Sequence, residues 1–318
     1  MAKKKRHHYI PRFYLGGFVD PHNKPYIWVY EKGSPNIIKA TARNIAIQKN
    51  YYSVATSEGE KDSEVFENAL AELEGRAAPI FQKIRNHESL NGQERSLFSI
   101  FLAFTMTRVP SHRENIERAT AESIKKMEMI LASNPAGFKS MIEKFERDRG
   151  NKIGMSVEEF RKFMLEGQYD ITTDPQFSLG MIPMMAKSLI PIFYKMDWAF
   201  LEATDDYKFV TSDNPLSYFD PTHDPRSFYG VGLLSRNIEV TFPISKDLLF
   251  FGTWGKFKGY KKLNNKLVKE MNGRTVISAL RFVFAPQYSD GLNRFVQKYK
   301  DSSPRIKVDS IGDYIIAH

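Results

Sequence analysis

The feature that most constrains this chain is where its hydrophobic period changes. Up to about residue 55 the apolar residues come in short β-branched and aromatic runs bounded by turn formers. Tyr26-Ile27-Trp28-Val29-Tyr30 lies between Asp20-Pro21 and Gly33-Ser34-Pro35, and Tyr51-Tyr52-Ser53-Val54 is a second run of this kind. From Asp62 the spacing becomes helical, with Val65, Phe66, Ala69, Leu70 and Leu73 on one face and Asp62 or Ser63 placed as N-cap. After Asp197 strand runs return: Trp198–Ala203, Tyr207–Val210, Ile238–Phe242, Leu248–Phe251 and Arg281–Phe284. Strands at both ends, helices between them and no βαβ alternation predict an α+β fold. The expected sheet is mixed or antiparallel, built from N- and C-terminal strands, with the helical segment inserted between them. The corresponding division is 1–60, 61–196 and 197–318, packed as one compact unit.

Within the middle segment the helix boundaries are marked by residue type. Asn91-Gly-Gln-Glu94 and Ser156-Val-Glu-Glu159 read as capping boxes, Asp174-Pro175 as a further start, and Asn134-Pro135 as a break in a charged helical stretch from His112 to Arg149. The helix after Asn91 is apolar nearly all round and ends near Arg108-Val109-Pro110. Pro183 and Pro191 predict a kinked or fragmented helix after Asp174. Late in the chain, Leu263, Leu267, Met271 and Val276 predict a basic amphipathic helix.

Charge is concentrated rather than spread. The net charge is +9, yet Lys3, Lys4, Lys5 and Arg6 alone supply four charges. Residues 256–274 hold Lys256, Lys258, Lys261, Lys262, Lys266, Lys269 and Arg274 against Glu270. Two basic patches on a balanced body suit a polyanionic partner, nucleic acid first, with Lys3, Lys4, Lys5, Arg6, Lys261, Lys262 and Lys266 as contacts. There is no cysteine, which excludes disulfides, thiolate nucleophiles and cysteine-ligated metals. The stretch between Arg95 and Arg108 is too short to span a bilayer, and the basic start leads into His7-His8-Tyr9 rather than an apolar run. A cytoplasmic protein without a membrane partner is the expectation. P-loop, dinucleotide, Gly-x-Ser-x-Gly and His-Glu-x-x-His patterns are absent.

Three stretches are rich in chemistry-bearing residues. In Arg6-His7-His8-Tyr9-Ile10-Pro11-Arg12, strand geometry would point His7 and His8 to opposite faces, so that one serves chemistry while the other packs. Arg12 offers a planar phosphate clamp. In Thr211-Ser212-Asp213-Asn214-Pro215 a strand runs into small polar residues: either a cation or water site formed by Ser212, Asp213 and Asn214, or an Asx-turn. In the helix pair, Glu67 and Glu74 share a face two turns apart, and Arg108 ends a buried helix. Arg108 would either bridge a glutamate or reach a phosphate. The opening also looks like half of an HNH nuclease site, but no histidine-bearing helix follows Asn23.

The stretches KKKRHHYIPRFYLGGF, NIAIQKNYYSV, ENALAELEGRAAPIF, TRVP, DWAFLEA…YKFVTSDNP and NGRTVISALRFVFAP together resemble the bacterial family called domain of unknown function 4238. The resemblance reaches to about Pro286 and carries over His7, His8, Pro11, Tyr14, Arg108, Thr211, Ser212, Asp213 and Asn214. It implies that these separated stretches belong to one unit.

These features lead to an expected nucleic-acid phosphodiesterase using a divalent cation, Mg²⁺ or Mn²⁺, held by Asp213 with Glu74. His7 or His8 would move the proton, Arg12 and Arg108 would stabilise the phosphate, and Tyr14, Ser212 and Asn214 would complete the pocket. The biological role would be that of a toxin or anti-phage effector. The alternative is a non-catalytic protein that binds nucleic acid or a protein partner through the same patches.

Overall fold

Helices begin where the sequence caps them. The Asn91 side chain accepts from the Glu94 N–H while the Glu94 carboxylate accepts from the Asn91 N–H, and Ser156 and Glu159 repeat the arrangement. Asn134 caps the Gly137 N–H with Pro135 at the first helical position. The computed structural model describes residues 6–55, 61–62, 64–224, 227, 230–306 and 308. Lys3, Lys4, Lys5 and the expected N-cap Ser63 therefore lie outside the described residues.

In chain order the elements are β1 (Arg6–His8), α1 (Arg12–Leu15), β2 (Tyr26–Glu31), β3 (Ile37–Thr41), β4 (Ile47–Lys49), β5 (Val54–Ala55) and β6 (Lys61–Asp62). Six helices follow: α2 (Glu64–Arg85), α3 (Gly92–Arg108), α4 (Pro110–Ser133), α5 (Pro135–Arg149), α6 (Val157–Glu166) and α7 (Pro175–Lys195). The chain then forms β7 (Asp197–Glu202), β8 (Thr211–Ser212), β9 (Ser217–Phe219), β10 (Glu239–Pro243), β11 (Leu248–Thr253), β12 (Gly259–Lys262), α8 (Asn265–Ser278), β13 (Phe282–Ala285) and α9 (Asp290–Lys298). The fold is α+β.

The strands form two main sheets rather than one. An antiparallel sheet in the order β3-β2-β13-β8 joins the two ends of the chain, with Val29 opposite Phe284 and Ser212 opposite Val283. A second sheet, β12-β7-β11-β10-β9, uses C-terminal strands alone and is antiparallel except for β12 beside β7. The Tyr207–Val210 run is not a strand. Its polar groups are taken by Asn272, which accepts from the Val210 N–H at 3.0 Å and donates to the Lys208 carbonyl at 2.9 Å.

The chain divides into two units. One comprises residues 1–113 and 179–304, so α2, α3 and most of α7 belong with the strands and not with α5 and α6. Its core is aromatic: Phe81 meets Phe13, Phe98 and Phe101 edge-on, and Tyr14 stacks on Phe242 at 5.0 Å. The other unit comprises residues 114–178 and the chain beyond Pro304, with Ala132, Phe138 and Ile142 buried against Phe160 and Met164. Pro183 and Pro191 lie inside one continuous α7, contrary to the expected fragmentation. Each proline removes a single N–H donor, and burial of Leu179, Ile182, Ala186 and Phe193 holds the helix in place. Among the described residues α7 is long and apolar enough to cross a membrane by length and composition (mean hydropathy 1.3), and 28% of that window is buried.

Candidate active-site cleft

Strand β1 pairs antiparallel with β4, which sets Arg6 opposite Lys49, His7 opposite Gln48 and His8 opposite Ile47. Arg6 and His8 share one face and His7 takes the other. His7 is fully buried. Its Nδ1 accepts from the Tyr52 backbone N–H at 3.0 Å, its ring stacks on that of Tyr52, and its Nε2 faces the Glu67 carboxylate at 3.9 Å. Occupied on every side, it is a positioning residue.

His8 lies in a cleft. Its Nε2 stands 3.2 Å from the Arg43 carbonyl, and a carbonyl can only accept, so Nε2 carries the proton of the neutral ring and Nδ1 is the basic nitrogen. Burial lowers the His8 pKa below the usual histidine value. The Arg43 and Ala42 carbonyls and Glu74 oppose this, while Arg12 adds to it. The imidazole is therefore neutral at neutral pH. The Tyr52 hydroxyl, donating to the His8 carbonyl at 3.2 Å, fixes the backbone of the arm.

The opposite wall is one face of α2. Glu67, Ala71, Glu74 and Ala78 follow one another at spacings of four, three and four, so they line up along the helix. The alanines and Gly75 leave room, and the glutamates supply charge. The resulting cavity has a volume of about 900 Å³. Its rim carries Arg6, Arg12 and Arg43, all exposed, and Phe13 closes one side. Three cations facing two carboxylates make the cleft net positive, which suits a phosphate.

Arg108 stands behind this wall and does not line the cleft. It is 1% exposed, and its Nη1 donates to Glu74 Oε1 at 2.8 Å. Its own carbonyl accepts from the Tyr51 hydroxyl at 2.6 Å. Of the two roles open to it in the sequence, the structure places it in the bridge to glutamate.

The Ser212-Asp213-Asn214 turn is elsewhere. Asp213 is 2% exposed; its Oδ1 accepts from the Leu280 N–H at 2.9 Å and its Oδ2 from the Arg281 and Phe282 N–H groups at 2.8 Å each. Burial raises its pKa to about 6, against the pull of these three donors and of Lys32. Asn214 donates to the Ser278 carbonyl at 2.9 Å, and the Ser212 hydroxyl accepts from the Asn214 N–H. The turn thus joins the end of α8 to β13. The Tyr14 hydroxyl lies 2.6 Å from the Thr211 hydroxyl, so the N-terminal arm and the acidic bend do meet, but in the core. Tyr14, Ser212, Asp213 and Asn214 are buried in this separate network and form no part of the cleft.

This bears directly on the expected cation site. Asp213 has both oxygens committed to backbone donors, and Glu74 has one oxygen held by Arg108 in a different network. Among the described residues no group of three His, Asp or Glu side chains is placed to hold a metal. Asp213 and Glu74 do not fit a shared Mg²⁺ or Mn²⁺.

The expected basic helix is also rearranged. Lys261 and Lys262 are exposed on β12, an edge strand, and only Lys266 sits on α8, in its first turn. Pairing of β12 with β7 converts the start of the predicted helix into strand. Sequence reasoning missed Arg43 and Tyr52 as parts of the site. Arg43 immediately precedes the NIAIQKNYYSV stretch and Tyr52 lies within it, but only the pairing of β1 with β4 brings that stretch against His8.

No curated protein and no solved structure matches the chain. One family does: its profile, described as "Protein of unknown function (DUF4238)", matches residues 6–288 and so includes the arm, the α2 wall and the Asp213 turn. The chain belongs to the DUF4238 family.

Proposed function

We propose that the protein is a nucleic-acid phosphodiesterase whose reaction centre is the His8 cleft. The observation that carries this reading is a neutral imidazole with a defined basic nitrogen, set beside three exposed guanidinium groups in a net positive cavity. His8 serves as general base. Arg6, Arg12 and Arg43 hold the phosphodiester and stabilise the charge that builds on its oxygens in the transition state. Glu74, pinned by Arg108, repels the phosphate from the α2 wall and so directs it toward the arginines. Exposed Lys261, Lys262 and Lys266 offer further backbone contacts that weaken as salt rises.

The test is incubation of the purified chain with RNA and DNA, with product lengths resolved on gels. Cleavage is expected, with an acid limb in the rate profile below about pH 6.5, and His8→Ala should lower the rate about 10²-fold or more. Equal cleavage by that variant, or none by the wild type, refutes the assignment.

A second reading has its own support. His7, Tyr14 and the Asp213 turn are all consumed in the core, which suits a non-catalytic protein that binds nucleic acid through the same arginines. Tight, salt-sensitive binding without turnover would favour it.

A further inference from the structure

Building on the phosphodiesterase reading, we infer that the substrate is RNA and that its own 2′-hydroxyl is the nucleophile, with His8 removing the proton. Hydrolysis of a phosphodiester needs a water made nucleophilic and aimed at phosphorus. The groups that might have done this are engaged elsewhere: Asp213 by three backbone N–H groups, Glu74 by Arg108, and His7 Nδ1 by the Tyr52 N–H. Glu67, on the α2 wall, faces His7 Nε2 at 3.9 Å, which leaves His8, its other nitrogen tied to the Arg43 carbonyl, as the base on the side of the arginines.

RNA removes the need to position water. Its 2′-hydroxyl sits beside the phosphorus it attacks, and intramolecular placement of this kind is worth effective concentrations on the order of 10⁵–10⁸ M. The remaining tasks are removal of one proton and dispersal of charge on the phosphorane, which one imidazole and three guanidinium groups can perform. A cavity of about 900 Å³ lies at the upper end of the range for small-ligand sites and has room for nucleotides on either side of the phosphate.

The step balances as follows. His8 Nδ1 takes the proton from O2′, the O2′–P bond forms and the P–O5′ bond breaks. O5′ takes a proton from water in the cleft, and the imidazolium returns its proton to solvent. The products are a 2′,3′-cyclic phosphate and a 5′-hydroxyl, with no net water consumed.

The experiment uses the full chain with three oligonucleotides of one sequence: all-RNA, all-DNA, and RNA carrying a 2′-deoxy sugar on the 5′ side of each scissile phosphate. Each is assayed with EDTA and with Mg²⁺, and the product ends are identified by mass. RNA should be cut under both conditions to cyclic phosphate and 5′-hydroxyl ends. DNA and the 2′-deoxy RNA should react at least about 10²-fold more slowly, and His8→Gln should lose cleavage while still binding RNA. DNA cut at a similar rate, 5′-phosphate ends, or unchanged cleavage by His8→Gln would overturn the inference. The first two of these outcomes leave the phosphodiesterase reading intact, whereas failure to cut any of the three substrates removes both.

Discussion

His7 and His8 are neighbours in sequence with opposite duties. His7 fills a place in the core where its Nδ1 is the acceptor for the Tyr52 N–H. Replacing it with alanine should leave that donor buried and unmatched, a loss of about 1–3 kcal/mol, read as a lower denaturation midpoint in urea. His8→Ala should cost at most about 1 kcal/mol while removing cleavage. If the His7 variant proves as stable as wild type, its structural role is wrong. The opposite facing of the two rings was legible from strand alternation. Which ring faced the cleft was not, because that depends on β4 and α2, at least 39 residues away. Asp213 shows the same limit: an Asp at a strand end is equally a ligand or a turn former, and the three N–H groups that decide the matter come from residues 280–282.

At the scale of elements, helix starts were legible where a capping box was local, as at Asn91 and Ser156, and Asn134-Pro135, read as a break, proves to be the start of α5. Elements governed by distant partners were not. Tyr207–Val210 lost its strand to the Asn272 side chain, and Lys261-Lys262 gained one beside β7. The face of α2 carries its own prediction. Ala71 is exposed on the cleft wall between Glu67 and Glu74, so Ala71→Phe should fill the cavity and lower kcat/KM at least about tenfold, with the thermal midpoint unchanged. Arg76→Ala, at an exposed position on the same helix outside the cleft lining, should leave both unchanged. Loss of activity in the Arg76 variant, or none in the Ala71 variant, would separate the α2 face from the reaction.

Across the whole molecule two buried titrations oppose each other. His112 has a buried Nε2 with no hydrogen-bond partner, and burial lowers its pKa from 6.5 to about 4. Its folded value is depressed, so below pH 6.5 the unfolded chain binds the proton first. The stability it allows is present above 6.5 and is lost as pH falls toward 4, by on the order of 3 kcal/mol. Asp213 runs the other way. Raised from 3.8 to about 6, it contributes stability that is full below 3.8 and gone above 6, again on the order of 3 kcal/mol. The wild-type profile between pH 4 and 6.5 should therefore be flatter than either group alone would make it. His112→Gln should gain stability relative to wild type as pH falls through that window, measured by urea denaturation at several pH values. A constant difference between the two proteins would exclude His112 as the titrating group. The α+β class and the sheet joining both chain ends were legible from the period changes. The second sheet and the two-unit division were not, because strand partners and inter-helix packing are set by long-range contacts.

The bond between Tyr14 and Thr211 spans 197 positions of the chain. During translation every side chain of the cleft, from Arg6 to Ala78, leaves the ribosome long before Thr211, Phe242 or β13 has been made. Until then the arm that carries His8 rests on β4, Tyr52 and Phe81, while Tyr14 lacks its two partners from the C-terminal half. The seating of this arm is thus completed only when the last third of the chain has been made, so full rigidity of the cleft comes late in synthesis.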